Sequence, residues 1–347
     1  MTTSSQDPTE LVVATEVPAA YWEALSRAKF PMHKLRKLNR IPVGRVALDL
    51  TVAFGFLAMM PVLYALAPHP LTFVVCFVLS IRTFNCFAQL VHASDHGGLL
   101  PRPRLNMVAG SVCAWCLGYT RTGHRLAHLE HHLYLNTEKD PDRIWGAPEQ
   151  TARELVGMWL RDVCLVTAVG RLLQYSQSSR EDYRVAPWRS LTAGFLARAA
   201  LSLTPVIVTQ SVILALYSAV VGPVYYLLLY VLPIMTVYPA QIRLRSTVEH
   251  SFDVGHGPVT PQERWVSRST RGSWPELLVF SPFGIHYHFE HHLFPGIPYP
   301  NLGKVQRLLL EHGVSVPIVP SYLTFVARKL RAERRRLASR EGTRAAD

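Results

Sequence analysis

Charge is what this chain has least of. Charged residues make up 17% of its 347 residues against 49% hydrophobic ones, which is too apolar for an ordinary water-soluble domain. Acidic residues are the scarcer sign: 24 Asp and Glu against 36 Lys and Arg leave a formal net charge of +12. Such an excess can meet nucleic acid or anionic lipid, and the apolar blocks described below favour lipid headgroups, with no nucleic acid as a partner. Lysine is scarce beside arginine, six against thirty, which suits bidentate phosphate contact and would equally follow from codon bias. Cysteine is sparse as well. Cys76, Cys86, Cys113, Cys116 and Cys164 lie in or beside apolar stretches. The CxxC at Cys113-Ala-Trp-Cys116 has no second pair to complete a four-thiolate zinc or iron–sulfur site, so core packing in a reducing compartment is expected. The stretch Met1–Ala20 lacks the apolar core of a signal peptide and reads as a mostly disordered polar tail.

The apolar residues come in blocks. Spans of about 50–67 and 71–91 are separated only by an Ala-Pro-His-Pro turn, and spans of about 199–221 and 224–238 meet at Gly222-Pro223. Each is long enough, or nearly so, to cross the roughly 30 Å hydrocarbon layer as a helix. Buried helices of a large soluble protein rarely run this long without a charged face. Basic residues set the orientation. Arg27, Lys29, Lys34, Arg36, Lys37, Arg40 and Arg45 precede the first span. Arg102, Arg104, Arg180, Arg184, Arg189 and Arg198 lie between the pairs, and Arg243 and Arg245 follow the last. The two tight turns carry no charge. Because Lys and Arg near span ends stay cytosolic, both hairpins should dip in from one side and return. The expectation is an integral, multi-pass protein of a bacterial inner membrane, with both termini and the site described next on the cytosolic face.

Ten of the fifteen histidines fall in short clusters. His92 and His96 form an HxxxH. His128-Leu-Glu-His131-His132 and His288-Phe-Glu-His291-His292 are two copies of HxxHH, with His124 one turn before the first and His250 following Glu249. Spacings of three and four stack imidazoles on one helix face, where they can share a metal. The second span adds a detail: Arg82, Asn85 and Gln89 continue as His92 and His96 in steps of three and four, one polar stripe on one helix. Polar groups at membrane depth are costly unless they face protein or water, so the stripe should point inward and lead to the first two histidines. Eight or nine imidazoles exceed what one ion needs, so two metal ions are implied. Iron, zinc, copper and nickel all accept imidazole. Glu130 and Glu290, each just before a histidine pair, would either orient imidazole N–H groups or serve as helix-surface charge.

The order HxxxH, HxxHH, HxxHH, with apolar hairpins between the second and third clusters, resembles the membrane-bound fatty acid desaturase superfamily, which includes acyl desaturases, alkane and sterol hydroxylases and carotenoid ketolases. His128-Leu-Glu-His-His-Leu-Tyr-Leu-Asn136 followed by Asp140-Pro-Asp142 is similar to that group's second box. Tyr287-His-Phe-Glu-His-His-Leu-Phe-Pro-Gly-Ile-Pro298 is similar to its third, and Arg245-Ser-Thr-Val-Glu-His250 looks like its extra histidine. The resemblance implies two iron ions held by His92, His96, His128, His131, His132, His250, His288, His291 and His292, with O2 as co-substrate and electrons from an external donor. No His-Pro-Gly-Gly haem segment is present, so the donor would be a separate ferredoxin, rubredoxin or cytochrome b5-type carrier, drawn to the basic face. His124 matches no family ligand position and is left to a supporting or exit-path role, and His286 should not share the face of His288. Asp140 and Asp142 would bond a ligand imidazole or, the favoured reading, simply make an Asp-Pro turn.

The expected fold is all-α: four transmembrane helices in two hairpins under a helical cytosolic cap holding the histidine-rich dimetal site. A tail and basic juxtamembrane segment occupy 1–45, the membrane domain 46–310, and a basic C-terminal tail 311–347, which forms a surface helix, a dock for an acidic partner, or a solvated run. Residues Glu154 to Leu173 should lie partly along the interface. The expected reaction is desaturation of a fatty acyl chain, as acyl lipid or acyl thioester. The alternative within the group is hydroxylation or ketolation of a carotenoid, sterol or other apolar molecule. Trp115, Trp145, Trp159, Trp265 and Trp274 would line its tunnel or anchor at the lipid interface. A divalent-metal transporter is the non-enzymatic alternative, but such a protein would carry polar residues in several spans.

Overall fold

The computed structural model describes residues 17–147, 149–168, 193–252 and 260–344. It is helical almost throughout. The strands among the described residues are the two-residue β1 (Ser269–Thr270) and β2 (Ile318–Val319), paired in parallel.

Among the described residues, four helices are long and apolar enough to cross a membrane: α3 (Val43–Leu66), α4 (Pro70–Asp95), α8 (Ala193–Val220) and α9 (Pro223–His250). Proline opens two of them, at Pro70 and Pro223, where a missing N–H costs nothing and the fixed φ suits the first turn. They leave Leu66, Leu71, Leu201 and Ile207 largely exposed, large apolar side chains that suit lipid rather than water. Helices α3 and α4 pack along each other. The polar stripe of α4 points inward as its spacing predicts. Asn85 and Gln89 are buried, Asn85 donating to Gln241 of α9 at 2.7 Å, and Arg82 reaches the Leu278 carbonyl. Helix α9 does not end at residue 238. It continues to His250 through a π-turn at Leu227–Val231 and a non-helical Thr236. Pro233 and Pro239 each withhold one i→i−4 donor around that break.

The shorter helices gather around the far ends of α4 and α9. Helix α5 (Pro103–Cys116) buries Cys113 and Cys116 in the core, the packing role expected of that CxxC. Gly110 lets α5 approach α4, since a Cβ there would lie 1.9 Å from Ser94 Oγ. Helix α6 (Arg121–Tyr134) starts from a Thr120 cap, and α7 (Ala152–Val163) from a Thr151–Glu154 capping box. Val156, Leu160 and Val163 of α7 are exposed; residues 169–173 of the expected interfacial stretch lie outside the described residues, as do Arg180, Arg184 and Arg189. The segments α10 (Trp274–Phe280), α11 (His288–Leu293), α12 (Leu302–Glu311) and α13 (Tyr322–Arg344) complete the chain.

Both flanking stretches are more structured than their composition suggests. Within the expected tail, Val17 is buried, α1 (Ala19–Arg27) sets Tyr21 against Trp265 and Phe289, and α2 (Met32–Leu38) buries Leu35. A polar average conceals these few apolar anchors. Residues 1–16 lie outside the described residues. In α13, Tyr322 and Val326 pack against α9 ahead of the basic run.

One ion pair ties α7 to α9. Arg243 meets Asp162 through two bonds, at 2.7 and 3.2 Å, with both side chains fully buried, and also donates to the Ile144 and Trp145 carbonyls. Breaking a buried pair strands a charge at a cost of about 3–5 kcal/mol, whereas replacing both partners by apolar groups is close to neutral. Asp162→Ala should therefore lower the thermal unfolding temperature in detergent sharply, and Asp162→Leu combined with Arg243→Met should recover most of the loss. Equal damage from both would show that the pair is not what the single change removes.

Candidate metal centre

The eight histidines singled out by spacing, and His250, which the resemblance adds, come from four helices and meet in one place. They form two groups. His92, His96, His128, His132 and His291 bring one ring nitrogen each within 4.8 Å of one another; His131, His250 and His292 do the same, and His288 joins His250 with Glu249. Each HxxHH serves both groups. A helix turns by about 100° per residue, so the adjacent histidines of a doublet face different ways while i and i+4 face together. Thus His128 and His132 join the first group and His131 the second, whereas His288 and His292 join the second and His291 the first. The C-terminal end of α4 supplies His92 and His96 to the first group. The C-terminal end of α9 supplies His250 to the second.

The nitrogen spacings fit ions better than hydrogen bonds. His92 Nε2 lies 2.9 Å from His291 Nε2, which lies 3.0 Å from His132 Nε2, which lies 3.1 Å from His128 Nε2, which lies 2.7 Å from His96 Nε2. In the second group His288 Nε2 stands 2.7 Å from His250 Nε2 and 3.1 Å from His292 Nε2. A ring nitrogen offers one proton or one lone pair, so the middle members of such a chain cannot satisfy both neighbours. A cation among them takes every lone pair at once. Ligand nitrogens about 2.1 Å from an ion and at right angles to each other sit about 3.0 Å apart.

Electrostatics keep the lone pairs available. Burial, then repulsion between rings, holds His128, His132, His288, His291 and His292 well below the usual imidazole range, and burial takes His96 down to about 3. His131 goes the other way. Burial disfavours its charged form, but the Asp140 and Asp142 carboxylates outweigh that and lift it to about 9. The same pairing, working against burial, holds Asp140 below its ordinary value. A carboxylate on the remote nitrogen fixes the tautomer and strengthens the donor.

Supporting residues show what spacing alone does not reveal. Asp140 accepts from His131 Nδ1 at 2.9 Å and from the Asn136 and Asp142 backbone at 2.8 and 2.9 Å, so it both makes the turn and orients a ring; turn-making alone is too little. Asn136, in the left-handed region at φ 60°, donates to the His250 and Arg264 carbonyls and stitches the second box to α9. His250 Nδ1 bonds the Val266 carbonyl at 2.8 Å. His124 Nδ1 meets Asp95 at 2.6 Å, outside both groups, and its ring stacks beside His128. Asp95 sits inside the HxxxH, and its three-residue offset from His92 gave no hint of a partner on α6. Glu290 is neither surface charge nor an imidazole support: fully buried, it accepts from Ser269 and Gln306. Spacing did not single out Glu249 as a member of the second group.

A cavity of about 190 Å³ opens against both groups, touching His92, His128, His131, His250 and His288. Its other walls are largely apolar, including Leu117, Ala127, Trp145, Ile234, Tyr238 and Ile242, with His124, Asp142, Arg245, Ser246 and Glu249 as polar exceptions. Of the tryptophans, Trp145 lines this cavity, Trp265 packs on His292, and Trp274 is exposed. If Asp140 sets His131, Asp140→Asn should weaken metal binding by about 10–100-fold, read by titration against a chelator. An unchanged affinity would reduce Asp140 to a turn residue.

A family model described as fatty acid desaturase matches residues 68–318, a stretch that contains all nine histidines. Two curated proteins are also similar to this chain. One, named beta-carotene ketolase, from Paracoccus sp. (strain N81106 / MBIC 01143), is 26% identical over 241 residues, covering 67% of this chain and 78% of the relative. Another beta-carotene ketolase, from Paracoccus sp. (strain PC1), is 26% identical over 249 residues, covering 70% and 82%. With its three histidine clusters inside the matched stretch and converging in space, the chain belongs to the fatty acid desaturase family and is an oxidoreductase of the membrane-bound diiron superfamily.

Proposed function

We propose that the nine histidines hold two irons, five ligands on one and four on the other, and that the enzyme uses O2 to oxidise an unactivated C–H bond of an apolar substrate. The observation that carries this reading is that members of both histidine groups line a cavity whose remaining lining is mostly hydrocarbon and aromatic. A methylene has no proton acidic enough for a general base, so neither a catalytic triad nor a carboxylate pair would serve. When bound, the irons supply O2 activation and hydrogen-atom abstraction; the chain supplies position and keeps water out. Leu117, Trp145, Ile234 and Tyr238 would hold the substrate carbon against His92, His128 and His250, while Ser246 and Arg245 offer the few polar contacts that could fix its register.

The substrate is an isoprenoid of the carotenoid type or a similarly apolar small molecule, and the reaction is hydroxylation or ketolation. The named relatives favour this over acyl desaturation. Each hydroxylation consumes one O2, two electrons and two protons, giving an alcohol and water. A second round at the same carbon gives a geminal diol that loses water to the ketone. Desaturation uses the same inputs and releases two waters and an alkene. It remains the second reading, supported by the family to which the matching model belongs. Electrons come from a separate ferredoxin-, rubredoxin- or cytochrome b5-type carrier. The two apolar hairpins return to the cytosolic side of a bacterial inner membrane, where both termini and the histidine centre lie, since the basic residues flank the spans and the turns carry none.

The purified protein in detergent, supplied with reduced ferredoxin, isotope-labelled O2 and either a carotenoid or an acyl lipid, distinguishes these outcomes. The expected result is a carotenoid product carrying labelled oxygen, abolished by iron chelation and by His128→Ala. An unlabelled alkene from the acyl lipid would select desaturation instead. A product that survives His128→Ala would overturn the metal-centred reading altogether.

A further inference from the structure

The two histidine groups are unequal: five histidines gather in the first, while the second has His131, His250 and His292, with His288 joined to it through His250 and His292. We propose that Glu249 completes the second, as a carboxylate ligand to the ion held by His131, His250, His288 and His292. This rests on the two-iron reading above and adds to it a tenth ligand, the one oxygen donor supplied by a side chain.

The geometry argues from which nitrogen the carboxylate faces. A carboxylate that merely supports a ligand imidazole bonds the nitrogen turned away from the metal, as Asp140 does at His131 Nδ1. Glu249 does the opposite. Its Oε2 lies 3.6 Å from His288 Nε2, the same atom that faces His250 and His292. An oxygen grouped with His250 and facing His288 Nε2 stands where a ligand would. The symmetry of the centre points the same way. Each ion takes an i, i+4 pair from one HxxHH and a single histidine from the other. Beyond these, the end of α4 gives the first ion two residues, His92 and His96, and the end of α9 gives the second His250 and, adjacent to it, Glu249.

Charge and chemistry agree. Neutral imidazoles bring no negative charge, whereas two divalent ions would place four positive charges in a buried site. Glu249 is buried, and an imidazole set closed by one carboxylate is a familiar environment for non-haem iron. Arg245, one turn earlier on the same helix, donates to both Glu249 oxygens at 3.1 and 3.3 Å. Those two bonds hold the carboxylate in place and leave lone pairs for an ion. The competing role is that Glu249 only neutralises Arg245, and the experiment separates the two.

The full-length protein is loaded with the iron isotope used for Mössbauer spectroscopy, desalted, and assayed for iron per chain. The wild type should hold two irons giving two distinct doublets, one from an all-nitrogen site and one from a site with oxygen. Glu249→Gln keeps the shape and a bond to Arg245. It should weaken one iron by at least about tenfold and shift its doublet, leaving the other doublet in place. Arg245→Met removes the pair but spares the carboxylate, and should retain both irons. Two irons with unaltered doublets in Glu249→Gln would overturn the ligand, as would equal iron loss from both variants. Should Glu249→Gln fail to fold, the wild type decides: an iron-loaded minus metal-free infrared difference spectrum should contain a carboxylate band that shifts with isotope-labelled glutamate, and its absence overturns the proposal. A wild type with fewer than two irons would instead remove the two-iron reading, and this one with it.

Discussion

Nine imidazoles gathered with their ring nitrogens facing one another, five of them buried and four partly buried, form an arrangement that hydrogen bonding among themselves cannot satisfy. That constraint organises the molecule. Without a positive charge to share, facing lone pairs repel, and burial forbids relief by protonation for most of the rings. The rings stay where they are because the backbone that carries them is held independently. Helices α4 and α9 bring His92, His96 and His250 on their C-terminal ends, and the Arg243–Asp162 pair ties α9 to α7 beyond the break at Thr236. Asn136 and Asp140 bind the second box to the end of α9. Ligands supported in this way on separate elements need little rearrangement to close on an ion.

The same apolar environment that makes the centre costly makes it useful. An oxidant strong enough to take hydrogen from a methylene must be kept from water and from side reactions. The cavity that the histidines line is also lined by Leu117, Trp145, Ile234 and Tyr238, residues that neither donate protons freely nor react as acids. The few polar groups there, Arg245 and Glu249 among them, are committed to each other or to the rings. The break in α9 at Thr236, flanked by Pro233 and Pro239, falls beside Ile234, Met235 and Tyr238, which line that cavity. Irregular backbone in an apolar helix is tolerated where it lines a cavity.

Much of this was legible in the chain before folding, because it follows from periodicity. The alternation of three and four from Arg82 to His96 marks one face of one helix, and the face is indeed turned inward. The repeated HxxHH announces a pair of related ligand sets. Other features were not legible because they depend on partners distant in sequence. Asp95 finds His124 on another helix, Glu290 is spent on Ser269 and Gln306, and the N-terminal stretch is anchored by Tyr21 against Trp265 and Phe289. Composition averages over a window and cannot see a single aromatic that fits a distant groove.

The sequence by itself determined which side chains could bind metal, that there are too many for one ion, and that four apolar segments carry or flank them, since spacing and hydropathy are local properties of the chain. Tertiary structure decided how those side chains divide. That His131 parts from His132 and His291 from His292, and that Glu249 turns toward His288 Nε2, depends on how helices from distant parts of the chain rotate against one another. Rotation about a helix axis is set by packing, and packing is written in no short stretch of residues.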